Sequence, residues 1–185
     1  LKTASVRAME TADFAAFTTD QISSLTTAHM AALSTAQARA LTTAQISTLT
    51  TEQLAAFTTA SVQALWTSQV QGLSSDQVQA LQTAQVWSFT TAQIYALESD
   101  QVFALTTRQA AAINTADLNA LKLSQLVALS TGNVAALNTD LLRALRTDQA
   151  NALRTDQVVA LSTAQIQNLS TANANALSAA QIAAL

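Results

Sequence analysis

Stepping by eight from Leu1 lands on Leu, Met, Phe or Ile every time, through Met9, Phe17, Leu25, Leu33 and onward to Leu177 and Leu185. All 24 of these residues are large and apolar, and no insertion or deletion breaks the phase. With that residue at a, the octad runs a to h. A second apolar residue recurs at f, from Val6, Phe14, Ile22 and Met30 to Ile182. Position c is Thr in 19 of 23 octads, e is Gln in 15, and h is Ala in 18. The consensus is Leu-Thr-Thr-Ala-Gln-Val-x-Ala, with b polar and variable and g free. A period held this strictly is the mark of a repeat architecture in which each unit occupies an equivalent place.

The period does not fit one long helix. At about 100° per residue, eight residues overshoot two turns by about 80°, so position a would wind around the axis instead of forming a stripe. A coiled coil fails for the same reason, since it requires a repeat near seven or eleven. A β-solenoid suits Thr and Val, but its corners would lack glycine. Short helices fit best. Thr at c is a strong helix N-cap, and d, often acidic (Asp20, Glu52, Asp76, Asp100), then falls at the positive end of the helix dipole. This places a helix of about six residues from d to a, with b as the turn and small h residues permitting close approach.

Such helices are too short to stand alone, since isolated helices need about 12 residues to be even marginal. The expected fold is therefore an all-α solenoid, a superhelix held cooperatively by stacking. It would carry about three to four octads per coil; Ser24, Thr48, Gly72 and Asn168 fall on multiples of 24, which hints at three. Two readings of the Gln at e stand side by side. Its amide bonds backbone groups at neighbouring helix ends that would otherwise be unsatisfied, or it is simply a tolerated helix former.

Composition narrows the function. The net charge is −3, and eight Lys and Arg are scattered along the chain, so there is no nucleic-acid footprint. Polar residues in every octad exclude a membrane-spanning apolar run. Cysteine and proline are absent and only Gly72 and Gly132 are glycines, which excludes disulfides and argues against a disordered linker. The register covers 1–185 as one continuous array of 23 octads. A start at Leu1 without an initiator Met, and a stop inside the register, read as a piece of a longer array.

No catalytic, cofactor or metal constellation emerges, and no enzyme is expected. His29, the one histidine, takes an e position and reads as a variant of the repeat's polar site. The aromatics are more suggestive. Trp87, Tyr95 and Phe103 hold g in three consecutive octads, and Trp66 stands at b. With g outward they make an exposed partner-binding patch; with g between coils they only pack. Arg143, Arg146 and Arg154 lie among Asp140, Asp148 and Asp156 as weak surface pairs. Leu123 and Leu141 break the c and e signatures.

Octads such as Leu41-Thr-Thr-Ala-Gln-Ile-Ser-Thr and Leu161-Ser-Thr-Ala-Gln-Ile-Gln-Asn resemble the tandem repeats of large bacterial secreted or surface proteins, some of them adhesin- or RTX-like. The resemblance implies a secreted or cell-surface setting and carries over no functional residue. The expected role is a rigid spacer or protein-binding scaffold whose partner is a protein or a cell surface, with end-to-end self-association through exposed terminal repeats. The alternative is an ice- or surface-binding protein using the evenly spaced Thr hydroxyls at b and c.

Overall fold

The computed structural model describes residues 1–185, all of the chain, as 23 short helices, α1 to α23 in chain order, each of five or six residues and one per octad. Each helix begins at c and ends at g or h. Position b holds extended backbone (Thr42, φ −74°, ψ 160°) and is the N-cap. The expected cap at c is therefore corrected by one residue. Thr42 Oγ1, not Thr43, accepts the N–H of Gln45 at 3.2 Å, because a cap hydroxyl reaches the donor three residues on. The same bond recurs from Gln53 to Thr50 (3.2 Å) and from Gln77 to Ser74 (3.1 Å). The helix thus runs c to h, and a lies in the extended linker that turns the chain toward the next helix.

The chain divides into two compact units, Leu1–Ala96 and Leu97–Leu185. In the first, helices three octads apart stack into columns. One contains α1 (Thr3–Ala8), α4 (Thr27–Ala32), α7 (Thr51–Ala55) and α10 (Ser75–Ala80). The second contains α2 (Thr11–Ala16), α5 (Thr35–Ala40), α8 (Thr59–Ala64) and α11 (Thr83–Trp87). The third contains α3 (Thr19–Ser23), α6 (Thr43–Ser47), α9 (Thr67–Gln71) and α12 (Thr91–Ala96). The second unit repeats the arrangement. Its columns are α13 (Ser99–Phe103), α16 (Leu123–Ala128), α19 (Thr147–Ala152) and α22 (Thr171–Ala176); α14 (Thr107–Ala111), α17 (Thr131–Ala135), α20 (Thr155–Val159) and α23 (Ala179–Ala183); and α15 (Thr115–Ala120), α18 (Thr139–Arg143) and α21 (Thr163–Gln167). Each unit is thus an all-α solenoid with three octads per coil, the lower of the two values expected.

The core follows from the octad. Residues at f are the most deeply buried (Ile22, Ile46, Val70 and Leu118 are fully enclosed), and those at a are nearly so. Each octad inside the array buries two such side chains, worth roughly 1.5–3 kcal/mol apiece for residues the size of Val or Leu. Position h is small because it meets the helix three octads earlier. A Cβ built on Gly72 would lie 2.4 Å from Thr43 Cγ2, and Ser88 Oγ donates to the Thr59 carbonyl at 3.2 Å.

Candidate functional site

The third buried position is polar. Gln37, Gln45, Gln85 and Gln149 at e are each at least 97% enclosed, and burying an amide is costly unless all its groups are bonded. They are bonded at both ends. In Gln85, Oε1 accepts the N–H of Gln82, the N-cap of its own helix, at 2.7 Å. Nε2 donates to the carbonyls of Phe57 at 2.7 Å and Ala55 at 3.2 Å, 28 and 30 residues earlier. Gln77 (Leu49 and Ile46), Gln93 (Leu65 and Val62) and Gln157 (Leu129 and Leu126) repeat the scheme. The acceptors are the a and g carbonyls, which the end of a short helix leaves without a helical partner, and the f carbonyl, which also accepts the N–H of a, as Leu54 does from Phe57 at 3.1 Å. Of the two readings of e, the structure selects the ladder of amides joining helix ends across coils.

His29 fits the same scheme. Its Nδ1 accepts the Thr26 N–H at 3.2 Å, as Gln Oε1 does elsewhere, and its Nε2 lies 3.0 Å from the Leu1 carbonyl, in the place of the Gln Nε2. Substitutes with shorter side chains do only part of the work. Ser61 Oγ reaches Leu33 O at 3.3 Å, and Asn133 Nδ2 reaches Leu105 O at 2.8 Å.

With a, e and f inside, positions b, c, d and g form the surface. The four aromatics at b and g all lie on it: Trp66 is 53% exposed, Trp87 64%, Tyr95 54% and Phe103 64%. Within the first unit, Trp87 is the last residue of α11 and Tyr95 lies one residue before the end of α12, so three octads per coil put these two g residues on different columns. Phe103 ends α13 in the second unit. The structure instead relates Trp66 to Trp87. Trp66 follows α8 and Trp87 ends α11, so both lie on the corner between the same two columns, one coil apart. Arg39, in the last turn of α5 on that corner, stacks its guanidinium 3.5 Å from the Trp66 ring centroid.

That contact is one case of a general seam, in which b meets g four octads earlier. Gln82 Nε2 donates to the Ala55 carbonyl at 3.1 Å. Arg146 and Arg154 donate to the Asn119 and Val127 carbonyls and pair with Asp148 (3.0 Å) and Asp156 (2.9 Å). Hydrogen bonding from each Arg is the main cause that holds the Asp148 and Asp156 carboxyls below their ordinary value; desolvation opposes it. Arg143 forms no ion pair with Asp140 in this arrangement. No helix is long and apolar enough to cross a membrane.

A family model described as the ALTTAQ repeat matches the chain seven times in succession, over residues 1–27, 25–59, 51–83, 79–107, 110–145, 134–163 and 158–185. No curated protein matches it.

Proposed function

The chain belongs to the ALTTAQ repeat family, and on that premise we propose that it serves as a rigid spacer or protein-binding scaffold, not an enzyme, within a bacterial secreted or surface protein. The observation that carries this reading is the amide ladder. Each buried Gln ties the start of its own helix to helix ends 28 to 31 residues earlier, so an octad with Gln at e is fastened to another coil as well as to its neighbours. Repeats locked in this way add length and surface without adding hinges. The bacterial setting rests on the likeness of the octads. Rigidity is tested with spin labels at Ala12→Cys and Ala84→Cys, two exposed d positions of one column in a chain without other cysteines. A narrow distance distribution is expected; a broad one sinks the scaffold.

Partner contact is assigned to the exposed aromatics Trp66, Trp87, Tyr95 and Phe103, of which Trp66 and Trp87 share one corner. Exposed Trp and Tyr are the residues that dominate protein interfaces. Replacing Trp87 and Tyr95 with Gln leaves the melting temperature nearly unchanged if they serve binding; a large loss assigns them to packing. End-to-end self-association through the terminal repeats belongs to the same reading, and sedimentation across concentrations tests it.

Ice or surface binding gains one supporting observation. Capping falls to b, which leaves the c hydroxyls free, and Thr11, Thr35, Thr59 and Thr83 stand on stacked helices beside Ala12, Ala36, Ala60 and Ala84. This reading requires inhibition of ice recrystallisation that disappears when those four Thr are changed to Lys.

A further inference from the structure

Within residues 97–185 the ladder has a gap. Gln125 joins the Lys122 N–H (2.8 Å) to the Leu97 carbonyl (2.6 Å), and Gln157 joins the Arg154 N–H (2.9 Å) to the Leu129 carbonyl (2.7 Å). Two consecutive octads between them do otherwise. Asn133, one methylene shorter than Gln, keeps the bond to Leu105 and leaves the Ser130 N–H without a side-chain acceptor. Leu141 occupies the next e position, 3% exposed, and has no polar atom with which to make either bond. Asn138 still caps its helix by accepting the Leu141 N–H at 2.9 Å, but its own N–H finds no side-chain acceptor at e. The Ile113 carbonyl, 28 residues before Leu141, receives no amide from e, and the Ala110 carbonyl, 31 residues before it, keeps only the Ile113 N–H at 3.2 Å. The extra apolar contact of Leu141 does not offset this, because the backbone groups it faces cannot themselves become apolar, and a buried backbone group without a partner is costly.

We propose that residues 129–144 are a built-in opening point, at which α18 and its capping turn detach from the coil below before any other internal octad of this unit does. Local stability varies along a structure with exactly such differences in contact and hydrogen bonding. Detachment bares the apolar side chains of Leu141, Leu142 and Leu145 together with the C-terminal carbonyls of α14, while Gln149 and Gln157 keep the following octads fastened. In an array under load or awaiting a partner, the opening point confines the exposed surface to one place.

Hydrogen exchange of the full chain tests this, comparing backbone amides of residues 138–145 with their counterparts at 154–161 after correction for intrinsic rates. The wild type is expected to exchange at least about tenfold faster at 138–145, the ratio that corresponds to one lost bond of about 1.4 kcal/mol. Leu141→Gln slows that segment toward its counterpart and leaves 154–161 unchanged. Gln157→Leu moves the fast segment to 154–161, which keeps the test independent of whether Leu141→Gln packs well. Equal rates in the wild type, or unchanged exchange at 154–161 in Gln157→Leu, overturn the proposal.

Discussion

Truncating one rung of the ladder measures what holds the coils together. Gln85 is 1% exposed, and its amide accepts one bond at 2.7 Å and donates one at 2.7 Å and another at 3.2 Å. Gln85→Ala removes all of them and leaves the Gln82 N–H and the Phe57 carbonyl facing a void. Two good bonds at a net of about 1 kcal/mol each, with part of the orphaning cost of buried partners added, come to about 2–4 kcal/mol. For a chain of this size each kcal/mol moves the melting temperature by about 2–4 °C, so the midpoint should fall by roughly 5–15 °C. Gln63→Ala is the matched control, since Gln63 is exposed at g and its side chain takes no part in the ladder. Thermal melts followed by circular dichroism at 222 nm read both variants. If Gln85→Ala melts within about 2 °C of Gln63→Ala, a spread that surface substitutions reach without a structural role, the amide ladder does not carry the stability argued for it.

Three further outcomes follow from the same geometry. Thr90→Val removes the oxygen that accepts the Gln93 N–H at 3.2 Å and should cost about 1 kcal/mol in a denaturant titration, whereas Thr91→Val should cost under about 0.5 kcal/mol; the reverse order would return the cap to c. Gly72→Ala should lower the melting temperature, because the added methyl meets Thr43 Cγ2, and Thr43→Ser should restore it; a destabilisation that persists in the double variant rejects that contact as the cause. Asp148 and Asp156 have lowered carboxyl pKa values in the fold, so their small contribution is present above the usual carboxylate range near pH ~4 and is lost as the pH falls through the lowered values. Asp148→Asn with Asp156→Asn should therefore flatten the acid side of the melting-temperature profile slightly and leave its shape near neutrality unchanged; an unaltered acid limb shows the pairs contribute nothing.

The period, the helical class and the buried pair a and f were all legible in the sequence, because they depend on residues within one octad. The cap was misplaced by one position for a local reason. The consensus puts Thr at both b and c, and c is the more uniform, so frequency points to the wrong hydroxyl. The available signal was spacing: Thr-x-x-Gln from b to e is a capping box, in which the hydroxyl takes the third N–H and the amide returns to the cap's own N–H. What hid it is the variety at b, where Trp66, Gln82, Lys122, Arg146 and Arg154 replace the hydroxyl. Those residues are admissible because Gln Oε1 bonds the backbone N–H of b, a group that any residue but proline supplies, as at Trp66 (2.7 Å) and Arg154 (2.9 Å). The number of octads per coil was visible only as the coincidence of small residues at multiples of 24, since the contact that sets it, h against c 29 residues earlier, lies outside any local window.

The ladder also explains which positions are free to vary. The partners of e lie 28, 30 and 31 residues earlier, on helices placed there by three intervening octads, so a single inserted residue would move an amide away from its carbonyl while moving a and f out of the core together. Length is therefore constrained more tightly than composition. At e, only a side chain with an acceptor near one neighbour and a donor near another serves in full, which admits Gln and His29, whereas Ser61, Asn133 and Asn173 are among the partial rungs and Leu141 is a failed one. At b and g the structure asks for almost nothing beyond the backbone, and there the sequence places its tryptophans, its tyrosine and most of its arginines. A fold held together by backbone and amide bonds leaves its outward corners open to specialise octad by octad, so what distinguishes one octad from the next is gathered at b and g and not in the residues that define the repeat.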